Sequence, residues 1–196
     1  GLCSVTLGLV VGGLLGAAAA FYSGKTDNII MRIMDILIAL PSFLLAIAIA
    51  AALGPSMLNV IVAIAFGSIP NYARVTRASI LTVKDLEYIE AARAIGSNDR
   101  RIIFKHLIPN ALGPIIVQAT LGVAGAIISA AGLSFIGLGV QPPTPEWGAM
   151  LSAGKQYIRT NWNIVTFPGL TIMLSVFALN LLGDGLRDAL DPKMKR

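Results

Sequence analysis

The chain has 196 residues, 56% of them hydrophobic and only 13% charged, with a mean hydropathy of +0.78. Soluble domains carry about 25% charged residues, so this composition excludes a surface built for water and indicates a membrane protein. The formal charge of +5 does not indicate nucleic acid, because the basic residues stand at the ends of apolar runs and form no stripe with interleaved aromatics.

The lone cysteine, Cys3, excludes an intrachain disulfide and a cysteine metal cage. Residues 1–24 carry no charge. About 20 apolar residues cross a hydrocarbon core of roughly 30 Å, so a first span is expected at about 2–22. Gly8, Gly12 and Gly16 share one face of it, where another helix backbone can approach closely. The run lacks the basic n-region of a secretory signal. It starts at Gly1 inside apolar sequence, so the natural amino terminus is expected upstream. Ser23-Gly24-Lys25-Thr26 ends like a phosphate-binding loop. That motif needs a glycine at position 19, which is Ala19, and a strand leading in, so no nucleotide hydrolysis is expected of this chain.

Lys25, Asp27, Arg32 and Asp35 form a short polar link, with Arg32 and Asp35 spaced as a local ion pair. No charge follows until Arg74, and Gly54-Pro55-Ser56 divides the run with a turn signal. Two antiparallel spans are expected, at about 33–53 and 57–79, the first kinked at Pro41.

A span at about 110–132 leads into an external segment, 134–160. There Ser134 to Val140 is apolar but glycine-rich, and Gln141-Pro142-Pro143-Thr144-Pro145 cannot continue a helix. The expectation is a bent or re-entrant piece, then an amphipathic stretch from Trp147 to Tyr157 at the membrane surface. Trp147, Tyr157 and Trp162 suit the interface. A fifth span, about 162–183, exits through a polar face of Asp184, Arg187 and Asp188 into the basic tail Lys193-Met194-Lys195-Arg196.

Charge concentrates between the third and fourth spans, in the stretch from Val83 to Asn110. Placing this stretch inside the cell puts 13 of the 15 Lys and Arg residues inside, leaving Lys155 and Arg159 outside, as the positive-inside rule requires. Within it, Lys84 or Asp85 can start a helix whose apolar face is Leu86, Ile89, Ala92 and Ile95. Glu87, Glu90, Ala91 and Arg93 or Ala94 lie opposite. Gly96 suits a left-handed helix end, and Ser97, Asn98 or Asp99 can cap a second helix that ends or kinks at Pro109. Read on physics alone, this is either a docking element or a solvated helical hairpin with no partner, with an interfacial helix bound to anionic lipid as a variant of the latter.

Glu90-Ala91-Ala92-x-x-x-Gly96, followed after nine residues by His106-Leu107-Ile108-Pro109, resembles the EAA loop of the membrane subunits of bacterial ABC importers. His106 and Ile108 replace the Ile and Leu of the general pattern, and His followed by Pro-Asn is similar to the dipeptide, oligopeptide and nickel permease branch. Met34 to Ser42, Leu133 to Pro143 and Asn180 to Asp188 resemble its second-permease type.

The resemblance implies a single all-α membrane domain over 1–196, a polytopic bundle of five helices from a six-helix family core. Its helix-turn-helix coupling loop, 83–108, would be cytoplasmic. It implies docking of Glu90, Ala91, Ala92 and Gly96, with Glu87 and Ile95 beside them, onto a separate ATPase. The implied partners are two ATP-binding subunits, a second homologous permease, an extracytoplasmic substrate-binding protein and the lipid bilayer of a bacterial or archaeal inner membrane, with no nucleic acid. It implies no catalytic residue, metal or cofactor in this chain, with ATP and magnesium on the ATPase.

The alternative is an ion-gradient-driven transporter or channel. Such proteins usually keep a charged residue within a span at a cost of roughly 3 kcal/mol, and none is expected here near mid-span. A membrane enzyme is disfavoured because no nucleophile, base and carboxylate are grouped. His106 stands alone and reads as structural. Gln118, Thr120, Ser129, Ser175 and Asn180 either line a pathway or bond across helices.

Overall fold

A computed structural model describes residues 1–190, and every regular element among them is helical. Asp191, Pro192 and the basic tail Lys193 to Arg196 lie outside the described residues. The elements are α1 (Leu2–Tyr22), α2 (Gly24–Ile38), α3 (Ser42–Leu53), α4 (Met57–Leu81), α5 (Glu87–Ala94), α6 (Asp99–Arg101), α7 (Ile108–Asn110), α8 (Leu112–Phe135), α9 (Trp147–Gly154) and α10 (Asn163–Leu190). A π-helical turn, Ile102–Leu107, joins α6 to α7, and a 3-10 turn, Lys155–Tyr157, follows α9. Helices α1, α4, α8 and α10 are each long and apolar enough to cross a membrane, and α2 with α3 makes a fifth, broken span.

That break corrects the expected helix over 33–53. The chain is already helical from Gly24, so the polar link is itself the first part of the span. Helix α2 ends at Ile38, and α3 leaves at 83° to it. Pro41 is the cause: its ring pushes Leu40 out of the helical region, and it lacks the N–H to continue α2. It stands as the N-cap of α3 in extended conformation, with φ −54° and ψ 124°.

The charges on α2 do not pair as sequence spacing suggests. Asp35 bonds Arg74 of α4 at 2.6 Å, not Arg32. Asp27, eight residues earlier on the same face of α2, takes both arms of Arg77 at 2.6 and 2.5 Å. Antiparallel packing of α2 on α4 brings the longer-range partners closer than a neighbour three residues away.

Glycine spacing in α1 works as expected. A Cβ on Gly12 would stand 2.5 Å from the Ile69 carbonyl, and one on Gly16 would collide with the Ala73 carbonyl. Gly8 meets Ser68 in the same way. Residue numbers on the two helices rise together, so α1 and α4 run parallel. Parallel neighbours require one crossing between them, which identifies the bent pair α2 and α3 as a single span. Helix α8 runs the other way, Gly122 meeting Tyr72 and Val5, while Gly1 meets Ile127. Helix α10 lies antiparallel to α8, with Gly183 against Leu121 and Leu190 beside Gly113.

The segment after α8 bends back along that helix, as expected, so that Gly148 meets Ala131. Gly137, at φ +85°, stops the helix: the Leu138 amide donates to the Leu133 carbonyl at 2.9 Å and the Gly137 amide to that of Ser134 at 3.0 Å. The Gln141 side chain then closes the turn through the Gly137 carbonyl at 3.0 Å. Helix α9 then packs on two of the spans. Gly148 lets it press onto the Ala131 backbone of α8, and Gly154 lets it meet Ile164 and Val165 of α10. Trp147, Tyr157 and Trp162 stay exposed around it.

Candidate functional site

The stretch between α4 and α8 folds into a compact unit. Lys84 continues the last turn of α4 through its amide bond to the Ile80 carbonyl, 2.9 Å, and α5 begins after Leu86. The end of α5 follows the expected chemistry. Gly96 takes φ +77°, the Ser97 amide donates to the Ala92 carbonyl at 3.0 Å, and the Gly96 amide donates to that of Arg93 at 2.9 Å. These two bonds satisfy carbonyls the helix leaves free. Of the three possible caps, Asn98 is used, its side chain accepting from the Arg101 amide at 2.9 Å.

Pro109 acts before it is reached. Its missing N–H and its ring are incompatible with a regular turn, and the chain widens into the π-helical turn Ile102–Leu107. The Asn110 side chain then donates through Nδ2 to the His106 carbonyl at 2.6 Å. Among the described residues no His, Cys, Asp and Glu gather to hold a metal ion.

The inner face is narrower than the expected apolar stripe. Ile89 and Ala92 are buried, whereas Leu86 and Ile95 are exposed. Both exceptions stand outside the helix proper: Leu86 is its extended N-cap, and Ile95 has left helical geometry at φ −82°, ψ 8°. A side chain off the helix no longer follows its period. Ile95, 82% exposed, therefore crowns the turn beside Gly96. Glu87, Glu90 and Ala91 share the exposed side of α5. Ala92, one of the residues assigned to partner contact, points into the unit and is 6% exposed.

Ile80, Ile89, Ile102 and Leu107 form the core of this unit and close on Ala17 and Ala20 of α1. Two cations add to that grip, and neither was legible in the sequence. Lys84 Nζ donates to the Ala20 carbonyl at 3.1 Å and to Ser23 Oγ at 2.7 Å, capping the C-terminal end of α1 with a positive charge where the helix dipole favours one. The Arg93 guanidinium lies 5.6 Å from the Phe21 ring centroid. The loop thus leaves α4, grips α1 and enters α8, so a push on its exposed side reaches three spans.

The polar residues singled out within spans divide. Gln118 and Ser129 line a cavity among α1, α3, α4 and α8. Thr120 turns back to the Ile116 carbonyl at 3.0 Å, while Ser175 and Asn180 lie on α10, outside that cavity.

A profile of the family described as "Binding-protein-dependent transport system inner membrane component" matches residues 8–196. The chain is 53% identical to a di/tripeptide transport system permease protein of Pseudomonas aeruginosa, over all of this chain and 64% of the relative. It is 50% identical to a glutathione transport system permease protein of Pectobacterium atrosepticum, over all of this chain and 65% of that protein. It thus spans just under two thirds of these relatives. Among solved structures, the MetNI methionine ABC transporter in an inward facing conformation superposes with a TM-score of 0.76 at 22% identity, covering 96% of this chain and 89% of that one. At that identity the match speaks for the fold alone.

Proposed function

This chain belongs to the family of binding-protein-dependent transport system inner membrane components, and we propose that it is a permease subunit of an ATP-driven importer of short peptides. Residues 1–196 then act as one permease domain, half of a pathway completed by a second, homologous permease. Two ATP-binding subunits sit beneath it, and an extracytoplasmic binding protein delivers substrate. The subunit has no catalytic role and holds no cofactor; ATP and magnesium belong to the ATPases. The charged loop and the C-terminus are cytoplasmic. The names of the peptide and glutathione relatives favour peptides over nickel.

The observation that carries this reading is the loop: a packed unit gripping α1 and continuous with α4 and α8, with Glu87, Glu90, Ala91, Ile95 and Gly96 turned outward. A solvated hairpin needs no such grip, because short connections suffice between antiparallel helices. Ala92 serves from within, since a larger side chain there would lift α5 from its seat.

Glu90→Lys reverses a charge on the exposed side, and Gly96→Val puts a β-branched residue at a positive φ. Each is expected to abolish ATP-dependent uptake and copurification with the ATPase subunits, with the protein still in the membrane. Normal uptake and ATPase binding in both variants would refute the coupling role. Uptake that follows an ion gradient without ATP would favour a secondary transporter instead.

A further inference from the structure

Polar side chains at membrane depth that no protein group satisfies cannot be left facing lipid, where each costs several kcal/mol. Such groups converge on the cavity among α1, α3, α4 and α8, which has a volume of about 190 Å³. Its polar lining is Ser42, Ser68, Asn71, Tyr72, Gln118 and Ser129. Asn71 lies 14 residues from Met57 and ten from Leu81, the two ends of α4. At 1.5 Å per residue these are about 21 and 15 Å, and Arg74 stands one turn beyond Asn71, so the cavity lies within the span, toward its charged end.

Ser68 is satisfied, its hydroxyl donating to the Ala65 carbonyl at 2.8 Å. Among the described residues, Ser42, Asn71, Tyr72, Gln118 and Ser129 make no side-chain hydrogen bond. Tyr72 is the telling case. It is only 2% exposed, its hydroxyl abuts Gly122 on the cavity wall, and a buried phenol normally finds a partner.

The break at Pro41 adds donors of another kind. Ser42 and Phe43, the first residues of α3, line the cavity and are exposed. The first amides of a helix have no intrahelical carbonyl, and the dipole makes a helix start favourable for an anion, as in transporters built from broken helices. Gly67 allows this arrangement, since a Cβ there would stand 3.1 Å from the Ser42 carbonyl. No charged side chain lines the cavity.

We propose that this cavity is a substrate-binding station within the permease, where Asn71 and Gln118 hydrogen-bond the backbone amides of a short peptide and the start of α3 receives its carboxylate end. The volume is enough to hold several waters or the end of a short peptide. The amides Asn71 and Gln118 each offer donors and an acceptor, which suits peptide groups common to every sequence. The proposal rests on the peptide-importer reading and adds its point of contact.

The test uses the assembled importer with its binding protein in proteoliposomes, in a Cys3→Ser background. Asn71→Cys, Gln118→Cys and, as a control on an exposed face of α10, Leu174→Cys are treated with a charged methanethiosulfonate, which reacts only with thiols in water. Labelling at 71 and 118 is expected at least tenfold faster than at 174. Dialanine with ATP should slow it severalfold, and dialanine amide, which lacks the carboxylate, should slow it less. Rates at 71 and 118 no faster than at 174 would overturn the proposal, because the cavity is then closed by protein or lipid. Labelling indifferent to dialanine would overturn it too, and equal protection by the amide would overturn the carboxylate assignment. Dialanine uptake by the Cys3→Ser parent in the same vesicles tests the importer reading separately: uptake without labelling defeats only the cavity, while absent ATP-dependent uptake counts against the importer reading.

Discussion

Helices α1 and α10 are both apolar and long enough to span a membrane, yet they are held in opposite ways. Eight residues of α1 are buried, including three glycines that bring its backbone against that of α4. Helix α10 is longer, at 28 residues, and buries only Pro168 and Gly183. Phe167, Leu174 and Phe177 point outward from it, each at least 59% exposed. Lipid is as apolar as these side chains, so hydrophobicity alone does not join helices within a membrane; close backbone approach and polar contacts do. The α1–α4 pair has the close approach, and it carries the loop. Helix α10 offers an outer face to lipid or to a neighbouring chain.

Breaking the stronger side should have the largest effect. Gly16→Val places branched carbon where the Ala73 carbonyl already stands, and a cost of roughly 3 kcal/mol is expected. The check is folded yield and thermal unfolding in detergent, where the variant should melt far below the parent. Normal melting would mean that α1 and α4 do not pack as described.

The next effect should come from the clamp. Lys84→Met keeps the aliphatic stem and removes both hydrogen bonds to α1, a loss of about 2 kcal/mol for charge-assisted bonds. Its distinguishing sign is uncoupling: ATP turnover by the assembled importer should persist while uptake per ATP falls, with partial recovery in Lys84→Arg. Unchanged coupling in Lys84→Met would reduce the clamp to a local cap.

Two small effects complete the comparison. Leu174→Ala on the outer face of α10 should shift stability by less than about 0.5 kcal/mol; a larger loss measured in the assembled complex than in the isolated chain would show that a neighbouring subunit covers this face. Thr76 buries a hydroxyl with no partner, beside Gly13 at the α1–α4 contact. Thr76→Val keeps the shape and removes the unsatisfied group, so melting should stay the same or rise slightly. A clear drop would mean that the hydroxyl has a partner in the membrane-bound state.

The loop shows where sequence reasoning succeeds and where it stops. Gly96 and Pro109 act through their own backbones, and a cap among Ser97, Asn98 and Asp99 acts on an amide three residues on, so these consequences are legible from near neighbours. Ile95 was placed on the inner face because its spacing fits a helix, but α5 ends one residue earlier and turns it outward. Sequence puts Lys84 at a possible helix start and Arg93 opposite the apolar face. Their partners, Ala20, Ser23 and Phe21, lie more than 60 residues away in sequence, beyond the reach of any local pattern.

Hydropathy, charge placement and turn chemistry therefore determined, from sequence alone, that this is a multi-span helical protein with one charged loop, because each depends on a residue and its near neighbours. Tertiary structure decided the rest: that Pro41 divides a span instead of bending it, that Asp35 pairs with Arg74 and not Arg32, that Ala92 faces inward while Ile95 faces out, and that unpaired polar groups from α3, α4 and α8 share one cavity. Each is a choice among partners set by how the helices lie against one another, and distance in space carries that information where distance along the chain does not.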